Sequence, residues 1–180
     1  MFESINQIGR ARNAGAAAAT GDWLIFVDAD SQPDEGLFRD VAAAISDPAC
    51  LAGGSTLRLD GWYPVASMIT QGWNLLSRIK KWAPGSFLFC EARAFRELGG
   101  FNQELYASEE IELFQRFKKL ARARGRRIVI LHRHPMITSA RKLRLYTIRE
   151  HLVFFAKTVL VGGRNLKDRQ ACFTWYDGRR

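Results

Sequence analysis

The chain has 180 residues, 47% of them hydrophobic and 25% charged, enough for one globular domain with a core of its own. Three widely spaced cysteines, Cys50, Cys90 and Cys172, with no C-x-x-C, speak against a disulfide framework or structural zinc and suit a reducing cytoplasm. Net charge is +9, but no helix-turn-helix, zinc-finger or RNP pattern accompanies it, so sequence-specific nucleic-acid binding is not indicated. Met1-Phe2-Glu3-Ser4 does not read as a signal peptide, and no apolar run reaches the ~18–20 residues of a membrane-spanning helix.

In chain order, Ser4 is positioned to cap a helix over Ile5 to Ala19, with Gly21 near its end. The run Trp23-Leu24-Ile25-Phe26-Val27 predicts a strand buried on both faces, of the kind found in parallel sheets covered by helices. Asp28 and Asp30 stand at its carboxyl end, where ligands bind on open α/β sheets, and residues two apart in extended chain point the same way. Two converging carboxylates call for a cation or hydroxyls; such hard oxygens suit Mg²⁺ or Mn²⁺. The plainer alternative is that Asp28 caps the strand and Asp30 opens the next turn.

A turn at Ser31-Gln32-Pro33-Asp34 leads into a helix carrying Leu37, Val41, Ala44 and Ile45 on one face, which stops at Asp47-Pro48. A strand follows from Leu51 to Leu59, whose Gly53-Gly54 marks either a close approach or a bulge. Pro64 opens a long helix to Trp82. Its stripe of Val65, Met68, Ile69, Trp73, Leu76 and Ile79 predicts the face packed on the core. Trp62 and Tyr63, just before it, read as core, with sugar stacking as the other option.

Gly85 to Cys90 predicts a strand, and Glu91 to Leu98 a short helix ended by Gly99-Gly100. Ser108 caps a helix from Glu109 to Arg124, with Ile111, Phe114, Phe117 and Leu120 as its buried stripe and Gly125 beyond. Glu109 and Glu110 complement the dipole of that helix in its first turn, which is reason enough for two acids there. Arg127 to His132 is a further strand, with His132, Arg133, His134 and Pro135 at its end. From Leu143, the positions Leu145, Ile148, Leu152, Phe155 and Val159 alternate with Arg144, Arg149 and Lys157, the pattern of a basic amphipathic helix suited to the domain surface, a partner or an anionic membrane face. Between Lys118 and Arg149 there is no Asp or Glu, so the segment invites phosphates.

Several of these stretches together resemble family 2 glycosyltransferases, nucleotide-sugar-dependent enzymes of the GT-A fold. The resemblance rests on Arg12-Asn13-Ala14-Gly15, Ala19, Gly21-Asp22 and the DXD motif Asp28-Ala29-Asp30. It continues in Gly99-Gly100-Phe101 followed by the acidic pair Glu109-Glu110, and in Thr138-Ser139-Ala140-Arg141. It implies a Rossmann-related α/β fold, a mostly parallel sheet flanked by helices, in a single domain over residues 1–180. Residues 1–141 would be the catalytic portion and 142–180 a C-terminal amphipathic helix and tail.

By the same resemblance, a sugar passes from a nucleotide-sugar donor to an acceptor hydroxyl with inversion. Asp28 would face the ribose, Asp30 would hold a divalent metal on the diphosphate, and His134 or His132 would add a metal ligand. Glu110 would take the acceptor proton, Glu109 would orient the acceptor, and Arg12, Arg133 and Arg141 would neutralise phosphate. The family begins with strands that bind the nucleobase, and this chain reaches Asp28 with room for only one helix. The sheet is therefore expected to be N-terminally truncated and to have an open edge prone to homo-oligomer formation. A sugar-phosphate nucleotidyltransferase, whose fold is related, is an alternative. So is a catalytically silent subunit docked on a partner or on the cytoplasmic face of a membrane.

Overall fold

The computed structural model describes residues 3–140 and 163–176. In chain order the elements are α1 (Ile8–Ala18), β1 (Trp23–Val27), β2 (Ser31–Gln32), α2 (Glu35–Ile45), β3 (Cys50–Leu59) and α3 (Pro64–Lys80). They continue with β4 (Phe87–Glu91), α4 (Ala92–Glu97), α5 (Glu109–Ala123), β5 (Arg127–Thr138), a 3-10 turn Arg164–Lys167 and the short α6 (Phe173–Tyr176). The C-terminal helix expected from Leu143 lies outside the described residues.

The five strands form one sheet in the order β1-β4-β3-β5-β2. Only β3 and β5 run parallel; β1 with β4, β4 with β3 and β5 with β2 are antiparallel. The expected α/β sheet flanked by helices is present, but it is mixed rather than mostly parallel. The strand Trp23–Val27 has its expected limits and a different setting. It lies at the sheet edge, with Ile25 and Val27 exposed. An apolar run of five residues reports burial potential, not the direction or number of its partners.

Period-two alternation divides the core between the two faces of the sheet. On β4, Leu88 and Cys90 join Leu24, Ile128 and Ile130 against residues of α4 and α5, among them Phe95, Phe114 and Phe117. Phe87 and Phe89 point the other way, onto Leu37 and Val41 of α2 and onto Met136. Gly53 is required by that second face, because a Cβ there would collide with the Phe89 ring and the Val129 carbonyl oxygen. It is a close approach inside the strand, not a bulge. The register shifts lie on either side of it: one between Cys50 and Ala52, and a larger one where Ser55 pairs with Leu131 and Leu57 with Met136, so residues 132–135 loop out and β5 then resumes to Thr138. The sequence signal of Pro135 ended this strand too early.

Local chemistry sets the helix ends. Asp34 caps α2 by accepting from the Leu37 N–H at 2.7 Å. Gln7, not Ser4, precedes α1, and its side-chain amide donates to the carbonyls of Gln103 and Leu105. Helix α3 departs furthest from expectation. Asn74 and Ser77 are its buried residues, while Val65, Met68, Ile69, Leu76 and Ile79 face solvent. Asn74 decides this facing. Its side chain accepts from the Leu57 N–H and donates to the Leu57 carbonyl, both at 2.9 Å, as a neighbouring strand would. Trp62, also read as core, is exposed.

Candidate active site

The carboxyl end of β1, the start of β4, the first turn of α5 and the end of β5 converge on one cavity of about 370 Å³. It is lined by Arg12, Asp28, Asp30, Gly85, Ser86, Glu109, Glu110, Thr138 and Ser139, with Trp73 and Trp175 from more distant elements. Asp28, Asp30 and the acidic pair, expected to act together, therefore do line one space.

Arg12 of α1 holds the group together. Its Nη2 donates to Asp28 Oδ1 and to the Gly85 carbonyl, both at 2.8 Å, and its Nη1 donates to Glu109 Oε1 at 3.0 Å. The guanidinium also lies over the Phe101 ring, 5.3 Å from its centroid. Burial opposes its charge, but Asp28 and Glu109 outweigh that effect and raise its pKa. With its donors on protein groups, Arg12 is a bridge between carboxylates, whereas the sequence reading made it a phosphate ligand. Residue separation of this size leaves no local pattern, so the bridge had no signal in the sequence.

Asn13, the next residue, performs a parallel task. Its Nδ2 donates to the Phe101 carbonyl and its Oδ1 accepts from the Phe101 N–H, each at 2.9 Å. Gly100 has φ +71°, and a Cβ there would stand 2.5 Å from Asn13 Oδ1. Thus Arg12-Asn13 binds the Gly-Gly-Phe turn with one side chain and Glu109 of the acidic pair with the other. The turn and the pair are parts of a single support.

The acidic pair is split by its surroundings. Ser108, at φ 62°, enters α5 in the left-handed region without a side-chain cap, and so swings both acids into the cavity. Glu109 is buried against Arg12. Glu110 is only partly covered. Burial, and then the neighbouring Glu109, push its pKa from 4.5 up to about 7, against the pull of Arg12. A carboxylate poised there suits general-base chemistry at neutral pH.

The Asp28-Asp30 pair presents hard oxygens. Asp28 accepts from Arg12 through Oδ1 and lines the cavity, and Asp30 is exposed with no side-chain partner among the described residues. This donor set fits a divalent cation that keeps water or phosphate in its other positions. No group of three or more His, Cys, Asp or Glu residues able to enclose a metal occurs among the described residues.

His134 is not brought to these carboxylates. Its Nδ1 lies 3.0 Å from Asp40 Oδ2 and its ring covers Gly36, so it docks β5 on α2. His132 is exposed and lines a separate cleft with Arg58 and Arg78. The loop-out of residues 132–135 turns both away from the site. Arg133 is exposed on the same loop-out and is not among the residues lining the cavity. Arg141 lies outside the described residues. Trp73 and Trp175 were not anticipated as lining residues; Trp73 belongs to the stripe read as packing and Trp175 to the tail.

The family model described as glycosyl transferase family 2 matches residues 2–97, more than half of the chain. Two Mycobacterium tuberculosis proteins, from different strains and each named pre-mycofactocin glycosyltransferase, are 29% identical over 115 residues, covering 57% of this chain and 24% of the relative. Among solved structures, the mannosyltransferase PcManGT from Pyrobaculum calidifontis, in complex with GDP-Man and Mn²⁺, superposes with a TM-score of 0.56 at 18% identity. That match covers 87% of this chain and 44% of the mannosyltransferase, and it shows a shared GT-A-like fold. The chain thus spans less than half the length of each of these three proteins.

Proposed function

The chain belongs to glycosyl transferase family 2, and from that premise we propose that it carries the acceptor-side machinery of an inverting, divalent-cation-dependent sugar transfer. The donor is a nucleotide sugar and the acceptor a hydroxyl. The observation that carries this reading is Arg12, which bridges Asp28 and Glu109 and leaves Glu110 facing the same cavity.

Glu110 accepts the proton of the acceptor hydroxyl as its oxygen attacks the anomeric carbon. Glu109, held by Arg12, positions that base. Asp28 and Asp30 would hold a divalent cation, which when bound would supply positive charge to the leaving diphosphate. Asp28 remains oriented by Arg12 throughout. The similar mannosyltransferase, solved with GDP-Man and Mn²⁺, supports a nucleotide-sugar donor and a divalent ion here. Trp73 and Trp175 also line the cavity, and tryptophan is a side chain suited to packing on a sugar ring.

Release of nucleoside diphosphate from a panel of nucleotide sugars, with Mn²⁺ and sugar acceptors, tests the reading. Turnover that disappears in Glu110→Gln is the expected result. Wild-type turnover in that variant would sink it.

A further inference from the structure

Among the described residues, α3 is the only helix that turns an apolar face outward along its whole length. Val65, Met68, Ile69, Leu75, Leu76 and Ile79 are each 38–70% exposed. At 100° per residue they occupy one stripe, roughly 120° wide and ~25 Å long, opposite Asn74. The two Asn74 hydrogen bonds to Leu57 hold the polar side inward, so the helix cannot roll to bury the stripe without breaking them. Trp62, 89% exposed, stands just before the helix.

Cations flank the stripe on both sides. On one side Lys80 and Lys118 meet, Lys118 Nζ donating to the Lys80 carbonyl at 3.0 Å, with exposed Lys81 and Arg122 nearby in sequence. Burial first, then Arg122 and Lys80, lower the Lys118 pKa. On the other side Arg58, Arg78 and His132 line a cleft of about 360 Å³ that also contains Leu75. No acidic residue lines that cleft.

We propose that the α3 face docks on an anionic bilayer surface, with the stripe in the acyl boundary and the flanking cations on lipid phosphates. An apolar stripe between basic edges, with a tryptophan at one end, is the pattern of a helix lying in the plane of a membrane interface. Charge decides against the other occupants. A second copy with its α3 stripe packed in parallel would set Lys80 and Arg78 against the partner copy's cations. The segment 143–159 carries Arg144, Arg149 and Lys157 and would repeat the conflict.

Co-sedimentation of the full chain with vesicles tests the proposal. Binding is expected to vesicles containing phosphatidylglycerol, to be weak on pure phosphatidylcholine, and to fall steeply as salt rises. Met68→Glu with Ile79→Glu should weaken binding at least about tenfold, and Arg78→Gln with Lys80→Gln by a similar factor. All four side chains are exposed, so circular dichroism and thermal midpoint should match wild type. Leu145→Glu with Leu152→Glu should leave binding unchanged. The proposal is overturned if phosphatidylglycerol vesicles do not bind at low salt. It is equally overturned if the 145/152 pair abolishes binding while the 68/79 pair does not. A dimer in vesicle-free solution that the 68/79 pair dissociates, without vesicle binding, would assign the face to a second copy instead.

Discussion

Arg12 and Glu109 are 97 positions apart in the chain and 3.0 Å apart in the fold, and both are largely removed from solvent. Glu109 opens α5 and Arg12 lies in α1, so the pair joins the two helices at the cavity. Removing Arg12 takes a charge partner from the buried Glu109 and from Asp28. Arg12→Ala should therefore cost ~3–5 kcal/mol in denaturant unfolding. Adding Glu109→Gln should recover part of that loss, and Arg12→Lys should rescue incompletely because one ammonium cannot span both carboxylates and the Gly85 carbonyl. An Arg12→Ala protein as stable as wild type would remove the bridge from the account.

The raised pKa of Glu110 fixes a sign for stability against pH. The folded state holds this proton up to about 7, whereas the unfolded chain releases it near 4.5. Between those values the unfolded state binds fewer protons, so stability falls as pH rises through the window, and the penalty is complete above about 7. Glu110→Gln lacks this penalty. Relative to wild type it should gain on the order of 2–3 kcal/mol between pH 4 and pH 8, less ~0.3–1 kcal/mol for the lost interaction with the helix dipole. Urea melts at the two pH values measure the difference, and parallel curves would refute it.

Turnover should move oppositely. A general base acts only when deprotonated, so kcat/KM should climb with pH and level off above about 7. Glu110→Gln should lower turnover by ~10²–10⁴ and abolish that acid limb. Glu109→Gln should lower it less. A pH profile with the same limb in Glu110→Gln would assign the base elsewhere.

Asp30 is exposed and opens no cavity when shortened. Asp30→Ala should leave the thermal midpoint unchanged while removing the dependence of turnover on Mn²⁺ concentration. Retained Mn²⁺ dependence at wild-type affinity would exclude Asp30 as a ligand.

The support beneath the site is open to its own test. Asn13→Ala strands the Phe101 N–H and carbonyl, a loss of ~1–3 kcal/mol for each buried group left unpaired. Gly100→Ala adds a Cβ at φ +71° against Asn13 Oδ1 and should also destabilise. Combined, the two changes should cost less than their sum, because Gly100→Ala no longer meets an amide. Strict additivity in the double variant would show that the residues do not act on one contact.

Local features were legible in the sequence because short-range physics decides them. The limits of Trp23–Val27, the stop before Asp47-Pro48, the glycines beyond α4 and the acids opening α5 all follow from burial, φ restriction or capping within a few residues. Asp28, Asp30, Glu109 and Glu110, grouped by the motif resemblance, line one cavity in the fold. Tertiary structure decided what those signals leave undetermined. An apolar run does not encode its neighbours, so β1 became an antiparallel edge strand. A helical stripe reveals amphipathicity without saying which side faces the protein; on α3 the side-chain amide of Asn74 found an unpaired strand backbone and turned the stripe outward. His134 went to Asp40 because five steps of β5 span the same length of sheet as two steps of β3. Arg12 became the centre of the site through partners distant in sequence, and only the closed fold brings those charges within hydrogen-bonding reach.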